Sequence, residues 1–458
     1  QVNPPLVTAR TAFGPRSGLP AFVPGAASEQ PNESIIGIGF DADGNLANTS
    51  AHNTYATLVQ TGTLYGMIYQ RRSKLILAGT YFKSHADTGP IQSSGWLQNV
   101  DPMGAIYGVQ VLTGTPNPNT NPALVYANLN KIIDPGTGVV IPGNPAGVDP
   151  RRTGTINYNT NDCDGPGAGG APSDGATCWQ HDPAAWANVG NIALGDLEED
   201  DEERFVFVVN LADKKLYQLP IDPNPANWPI TTLAASPVAI PNTCAVSADA
   251  VPGGLGFSDG KLYVGVTCKA ESTQNASQLK VEVWRFDPAA QTFGASPVFS
   301  AQLGYPRGCI FASNDSVNGP KNTGSPLENC QPYLDNSSNT IDNANWRAWP
   351  ATWQQHFQGN SGINTPGKPG WDVAGEGNFV QLEYPHPWLS DISFVGSDLV
   401  MGFRDINGDR TGAVVRSPNV NPTVGAGNNN FPSSGTPAAS WMTTYAYNYS
   451  GAGLGDLL

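Results

Sequence analysis

The sequence predicts an all-β protein: a six- or seven-bladed β-propeller with long disulfide-stapled loops and an extended N-terminal arm. Three observations predict this fold. Turn residues are abundant, with 52 Gly and 40 Pro among 458 residues. Paired apolar segments with strand periodicity recur along the chain. The distances between these pairs are close to one or two multiples of a common unit. Four antiparallel strands in a repeated unit are typical of a propeller blade.

Four segments share one pattern of small or acidic residues, an apolar strand, a polar turn and a second apolar strand. An apolar period of two indicates strands rather than helices. The segments are residues 64–79, 193–210, 253–266 and 389–403. In the second segment, ALGDLEEDDEERFVFVVN, seven acidic residues precede an apolar run. The pattern places these acidic residues in the solvated turn between the two strands.

Further strands complete each unit. A third strand is predicted at residues 104–111, 215–222, 281–288 and 412–415, and a fourth at residues 54–60 and 297–303. Equivalent first-strand positions are Gly66, Gly195, Gly254 and Ser390, so the gaps are 129, 59 and 136 residues. The short gap is one unit, and each long gap hides one more blade. Residues 35–44 are expected to form late strands of a blade that the C-terminus completes, because ring closure removes open sheet edges.

The chain divides into an N-terminal arm at residues 1–30 and one propeller domain at residues 31–458. Long loop insertions are expected at about residues 131–181 and 312–370. The first 25 residues contain five prolines, which disfavours a compact blade. The arm would lie either across a neighbouring subunit, where it would support self-association, or over its own domain.

The charge balance disfavours nucleic acid and anionic membranes as partners. The net charge is −15 with only 23 basic residues, so nucleic acid and anionic membrane surfaces are disfavoured. No apolar run reaches the roughly 18 residues that a membrane span needs.

Six cysteines and the absence of a C-x-x-C motif favour disulfides over a zinc site. Sequential pairing closes loops of about 15 to 25 residues and indicates an oxidising, secreted or cell-surface location. The alternative is six buried thiols. The expected pairs are Cys163–Cys178, Cys244–Cys268 and Cys309–Cys330.

Calcium is the one metal that the sequence suggests, because alternate carboxylates and amides can wrap this ion. Two stretches have such spacing, but both lack the closing Glu of an EF-hand and both also read as hairpin turns. The stronger candidate ligands are Asp405, Asn407 and Asp409, and the weaker ones are Asp41, Asp43 and Asn45.

Asp196 and Asp391 occupy the same repeat position, at the start of strands that would line the propeller channel. Two carboxylates there would bind a cation or a sugar, or act as acid and base. Alternatively, each bonds backbone amides and holds adjacent blades together. Several loop tryptophans would stack on sugars, form an interface or pin the loops; the four singled out are Trp346, Trp349, Trp353 and Trp388.

Short phrases of the chain resemble a propeller-like region near the front of large bacterial surface proteins. These phrases are ALGDLEEDDEERFVFVVNLADKKLYQL, GKLYVGVTCKAES, YPRG and LSDISFVGSDLVMGFRDINGD. In those proteins, repeats similar to SdrD B-type modules often follow, and none occurs in this chain. The resemblance covers most of residues 54–412. It implies a secreted, cell-surface, non-enzymatic role and carries over no catalytic residues.

The expected function is therefore a non-enzymatic extracellular structural or adhesive protein that assembles with copies of itself into a filament or surface layer. Surface carbohydrate or another protein would be its further partners. The alternative is a polysaccharide-binding or polysaccharide-cleaving propeller, either a lectin or a glycosidase or lyase. A third option is a receptor-like module for another surface protein.

Overall fold

A computed structural model describes residues 6–11, 32–38, 52–111, 116–153, 182–305, 310–313, 346–351, 380–383, 386–411 and 456–457. Over these residues the fold is all-β, with antiparallel sheets joined by turns and only short helices. Successive sheets pack face to face with their first strands closest together, which is a propeller-like arrangement. None of the helices in these ranges is long and apolar enough to cross a membrane.

An N-terminal sheet contains part of the predicted arm. Its strands are β1 (Leu6–Ala9), β2 (Glu33–Ile38) and β3 (His52–Thr57), and helix α1 (Leu58–Thr61) follows. Strand β1 pairs antiparallel with β2, so residues 6–9 belong to a sheet of their own chain. For these four residues the pairing fits the predicted placement of the arm over its own domain, because the prolines of the arm flank them and leave their amides available.

Blade 1 is a four-stranded sheet whose strands are adjacent in chain order. Its strands are β4 (Leu64–Gln70), β5 (Leu75–Thr80), β6 (Ala105–Gln110) and β7 (Leu124–Asn128). The predicted insertion at residues 131–181 is described as far as residue 153. That part contains the hairpin β8 (Ile133–Asp134) and β9 (Val139–Val140) and helix α2 (Pro150–Thr153). Helix α3 (Pro183–Asn188) precedes the next blade.

Blades 2 and 3 repeat this order. Blade 2 consists of β10 (Leu194–Glu199), β11 (Phe205–Asn210), β12 (Lys215–Pro220) and β13 (Ala235–Ala239). Blade 3 consists of β14 (Ala250–Ser258), β15 (Lys261–Cys268) and β16 (Lys280–Asp287), with β17 (Thr292–Phe293) and β18 (Phe299–Gln302) both paired to β16. Single-turn 3₁₀ helices occur at Pro102–Gly104, Leu129–Lys131, Pro225–Asn227, Ser247–Asp249 and Ala276–Gln278.

Blade 4 lies near the end of the chain. Strands β19 (Ile310–Ser313) and β20 (Val380–Glu383) first form a two-stranded sheet. Blade 4 itself contains β21 (Pro387–Val395), β22 (Asp398–Asp405) and β23 (Asp456–Leu457), and helix α4 (Asn407–Thr411) follows β22. The predicted third strand at residues 412–415 lies outside the described residues.

The four predicted hairpins are confirmed, but two details differ. Residues 54–60 are not a fourth strand, because β3 ends at Thr57 and belongs to the N-terminal sheet. In that sheet β2 lies between β1 and β3; its predicted completion by the C-terminus falls mostly on residues outside the described ranges and stays a prediction. Glu198 and Glu199 lie within β10 and not in the turn, which starts at Asp200.

The apolar run of β11 is explained by burial on both faces. Val206 and Val208 belong to the core between blades 1 and 2. Phe207 and Val209 point the other way, into the core that blade 2 shares with blade 3. A strand covered on both faces needs no alternation of apolar and polar residues. Similar cores join blade 3 to blade 4 and the N-terminal sheet to blade 1.

Candidate active site

The first strands of the four blades share an irregularity at the same place. The pairing of β4, β10, β14 and β21 with the following strand shifts register near Gly66, Gly195, Gly254 and Ser390. These four residues are the equivalent first-strand positions that the sequence repeat predicts. Such β-bulges re-aim a side chain and often lie beside functional sites.

The bulges are also where adjacent blades approach most closely. A Cβ added to Gly66 would lie 2.6 Å from the Cα of Asp196, and one added to Gly254 would lie 2.5 Å from the backbone nitrogen of Asp391. Glycine is required at both positions because any side chain would overlap the backbone of the next blade. Tyr65 of β4 donates a hydrogen bond to the carbonyl oxygen of Ser390 at 2.7 Å, so blade 4 also contacts blade 1.

Asp196 is buried at the junction of blades 2 and 3. Its Oδ1 accepts the backbone N–H of Leu197 at 2.9 Å, and its Oδ2 accepts the N–H of Leu255 from β14, also at 2.9 Å. The sequence left two roles open for this residue. These contacts favour the one in which the carboxylate bonds backbone amides and holds adjacent blades together. Burial and the nearby charge of Asp391 raise its pKa well above the usual range.

Asp391 holds the equivalent position in blade 4 but is exposed to solvent. Surrounding protein still raises the pKa of its carboxyl group, and the backbone N–H of Ile392 partly opposes that rise. A carboxyl group that is accessible and yet partly desolvated is suited to chemistry on a bound molecule.

Glu198 is a third carboxyl group of this site, although the sequence pattern predicts a turn at this residue. It lies two residues after Asp196 on β10. Burial, together with the charges of Asp391 and other nearby acids, raises its pKa to about 8 against the opposing effect of the N–H of Glu199. The hydrogen bond from that N–H is 3.1 Å long. The strand period of two, counted from Asp196, would have placed Glu198 on the same side.

Tyr65 brings a phenol to the same group. Burial and the charge of Asp196 raise the pKa of Tyr65, and Arg404 opposes the rise. Its hydroxyl group therefore keeps its proton at neutral pH. The ring lies 5.1 Å from that of Trp388 and 5.1 Å from the guanidinium carbon of Arg404. Tyr65, Glu198, Asp391 and the buried Asp196 together form what we call the axial site. Asp391 is exposed, while Tyr65 and Glu198 are half-buried.

The predicted calcium ligands have other partners. Asp405 Oδ1 accepts the backbone N–H groups of His386 and Asn407. Asp409 pairs with Arg404 and with Lys83, whose Nζ lies 3.2 Å from Oδ1, and accepts the hydroxyl of Tyr81 at 3.1 Å. These cations lower the pKa of Asp409. In the described ranges no three His, Cys, Asp or Glu side chains group as a metal site. Asp41, Asp43 and Asn45 lie outside those ranges.

The tryptophans do not form an exposed platform. Trp346, Trp349 and Trp388 are each at most 1% exposed, so stacking on a sugar and contact with a partner are wrong for all three. Their rings fill the core: Trp388 stacks on Tyr81 with centroids 5.8 Å apart. The loop-pinning role is the one that fits. Trp353 lies outside the described residues.

One predicted disulfide is confirmed, between Cys244 and Cys268. It joins the loop before blade 3 to the end of β15. The other four cysteines, Cys163, Cys178, Cys309 and Cys330, lie outside the described residues, and their pairing stays a prediction.

Comparison with known sequences gives one weak relative. No family model matches the chain. Colossin-A of Dictyostelium discoideum is 22% identical over 382 residues, which cover 81% of this chain and 2% of Colossin-A. The chain therefore spans only a small fraction of that protein.

Several solved structures are similar to this chain at low identity and low TM-score. A 6-phosphogluconolactonase-like protein of Bacteroides uniformis is 9% identical, with a TM-score of 0.25 over 61% of this chain and 68% of that one. A periplasmic gluconolactonase of Pseudomonas aeruginosa is 12% identical, with a TM-score of 0.25 over 58% and 64%. An aldose sugar dehydrogenase of Streptomyces coelicolor is 16% identical, with a TM-score of 0.24 over 56% and 73%.

The similar structures are named as enzymes, which differs from the expected non-enzymatic structural or adhesive role. That expectation is withdrawn. The expectation of a broad contact surface also rested on exposed aromatic side chains, and three of these, Trp346, Trp349 and Trp388, are buried. TM-scores this low carry no activity over to this chain, so its chemistry has to be argued from its own side chains.

Proposed function

We propose that this chain is a β-propeller enzyme that cleaves a C–O bond of a neutral carbohydrate by general acid–base catalysis at the axial site. The observation that carries the proposal is the electrostatic interaction between Glu198 and Asp391. Strands β10 and β21, on blades 2 and 4, bring near each other two carboxyl groups with different surroundings and different exposure.

The environments of the two groups assign their roles. With a pKa of about 8, Glu198 holds its proton at neutral pH and serves as the general acid. Asp391, being exposed, is the ionised partner and serves as the base that activates water. Each requires the other, because the charge on Asp391 is one of the causes that keep Glu198 protonated. Carboxyl pairs with separated pKa values are a recurrent acid–base arrangement.

The substrate class follows from charge and hydrogen bonding. The net charge of −15 and the acidic groups of the axial site repel anions. A neutral carbohydrate offers several hydroxyl groups to carboxyl oxygens, and cleavage of its glycosidic or lactone bond needs one proton donor and one activated water. Asp196 supports the site from beneath by fixing β10 against β14 through Leu255.

The finer architecture and location belong to the same proposal. Six or seven blades would account for the spacing of the first strands. Secretion or display at the cell surface is supported by the disulfide between Cys244 and Cys268, because such bonds persist in oxidising compartments.

The test is turnover of a substrate panel by the wild type, Glu198→Gln and Asp391→Asn. The panel contains aryl glycosides and neutral oligosaccharides, followed by released sugar, and aldonolactones, followed by acid release. We expect one substrate class to react, with kcat falling about 100-fold or more in each variant. The control is Glu202→Gln, an exposed carboxyl group at the tip of the same hairpin, which should retain activity.

The pH profile sharpens the test. The rate should fall as pH rises through about 8, because Glu198 then loses the proton it must donate. It should also fall at acidic pH, where Asp391 gains a proton. A rate that keeps rising above pH 8, or full activity in both variants, would refute the assignment.

A further inference from the structure

A second cluster of reactive side chains lies away from the axial site, between blades 2 and 3. Lys269 follows the last residue of β15 and is buried. Its Nζ donates to Oδ1 of Asn191 at 3.0 Å and forms an ion pair with Glu271. Asn191 lies in the turn between α3 and β10. A lysine amine, a side-chain carboxamide and a carboxylate therefore meet at one point.

The carboxamide of Asn191 is held in a fixed orientation. Its Nδ2 donates to the carbonyl oxygen of Ala187 at 2.8 Å, while its oxygen faces Lys269. Glu271 is held as well, since its Oε1 lies 3.3 Å from a guanidinium nitrogen of the buried Arg410. Positioning of this kind brings reacting groups together at high effective concentration.

One aromatic side chain lies close to the cluster. The ring of Trp349, which is fully buried, lies 5.4 Å from Nζ of Lys269. The same ring lies 4.8 Å from the guanidinium carbon of Arg410. Burial and the positive charge of Arg410 lower the pKa of Lys269, against the opposing effect of Glu271. A lysine in such surroundings more readily becomes the neutral amine that acts as a nucleophile.

We propose that Lys269 and Asn191 are joined by an intramolecular isopeptide bond, formed with Glu271 as the proton carrier. Glu271 accepts a proton from the ammonium group, and the neutral Nζ attacks Cγ of Asn191. Glu271 then returns that proton to Nδ2, and the Cγ–Nδ2 bond breaks. Nζ gives up a second proton as it becomes an amide nitrogen, and this proton leaves with the ammonia as an ammonium ion. An alkylammonium group and a carboxamide thus become an amide and one ammonium ion, so atoms and charge balance and no oxidant is needed.

The bond would connect residues 78 positions apart, compared with 24 for the neighbouring disulfide. It would fix the approach to β10 onto the end of β15. Cys268 and Lys269 are adjacent, so two covalent links would meet at the same corner of blade 3. This proposal does not depend on the catalytic role of the axial site.

The experiment is peptide mapping of the whole protein after reduction and alkylation, which removes any disulfide link. Trypsin leaves Asn191 in the peptide of residues 153–204, and a linked Lys269 is not cleaved, so its peptide extends over residues 262–280. We expect these two peptides to be recovered joined, with a mass lower than their sum by one ammonia. Digestion at acidic residues then locates the bond.

Two variants and a control decide the outcome. Asn191→Ser removes the electrophile and Glu271→Gln removes the proton carrier, so both should give separate peptides and a lower melting temperature. Lys214→Arg is the control, because Nζ of Lys214 donates to the carbonyl oxygen of Ala248 instead; the joined peptides should persist. Separate, unmodified peptides from the wild type would overturn the proposal. Joined peptides from Asn191→Ser would overturn the choice of Asn191, and from Glu271→Gln the role of Glu271.

Discussion

Asp196 and Asp391 are the same residue type at the same point of two blades, and the structure uses them differently. Asp196 is 9% exposed and accepts an amide from the next blade. Asp391 is exposed. Over the described residues its carboxylate accepts a hydrogen bond from the backbone N–H of the adjacent residue, Ile392. The backbone of Asp391 is nevertheless as tightly packed as that of Asp196, against Gly254.

The difference shows that a carboxylate at the bulge of a first strand either bonds the backbone of the next blade or remains in solvent. Where another blade follows, the carboxylate receives a backbone amide and becomes part of the inter-blade contact. Where its oxygens stay in solvent, it remains available for chemistry. Repetition of a residue in a propeller therefore identifies equivalent backbone positions rather than equivalent roles.

The largest expected effect comes from breaking the close packing beneath Asp391. Gly254→Ala should lower the free energy of unfolding by about 3 kcal/mol, because the new methyl group meets backbone that cannot move aside. Gly402→Ala is the matched control on the other side of Asp391, where the new Cβ would lie 3.3 Å from a side-chain Cβ. Urea unfolding of both variants measures the difference, and equal losses would contradict the account of the bulge.

A smaller effect tests the two carboxylates directly. Asp196→Ala should cost about 2 kcal/mol of unfolding free energy, because the buried amides of Leu197 and Leu255 lose their acceptor. Asp391→Ala should stay within about 0.5 kcal/mol of the wild type, as is usual for exposed positions. Thermal and urea unfolding compare the two. A large loss for Asp391→Ala would show that it, too, is a structural contact.

The equivalence of Asp196 and Asp391 could be predicted from the sequence, because short local patterns mark each repeat. The apolar run at residues 205–209 and the turns around each hairpin indicate the strands and their order. Aligning the repeats then places Asp196 and Asp391 at one position. Local patterns of this kind need no knowledge of distant contacts.

The rest of the site depends on contacts between distant residues. The sequence predicts a turn at Glu198, because the acidic run hides the strand that continues through it. Asp409 resembled a calcium ligand, yet its charge is balanced by Lys83, which lies far earlier in the chain. The exposed-looking tryptophans were assigned by their loops, and only packing shows that Trp346 and Trp349 are covered. No short window of sequence contains this information.

The smallest expected effect concerns the contact that joins blade 1 to the residue before Asp391. Tyr65→Phe removes the hydrogen bond to the Ser390 carbonyl oxygen, so unfolding free energy should fall by about 1 kcal/mol. Tyr69→Phe, on the same strand but 44% exposed, should change it much less. If Tyr65→Phe also alters KM without altering the pH at which the rate falls, the phenol positions substrate beside Asp391. An unchanged stability would mean that blade 4 is held near Asp391 by the Trp388 packing alone.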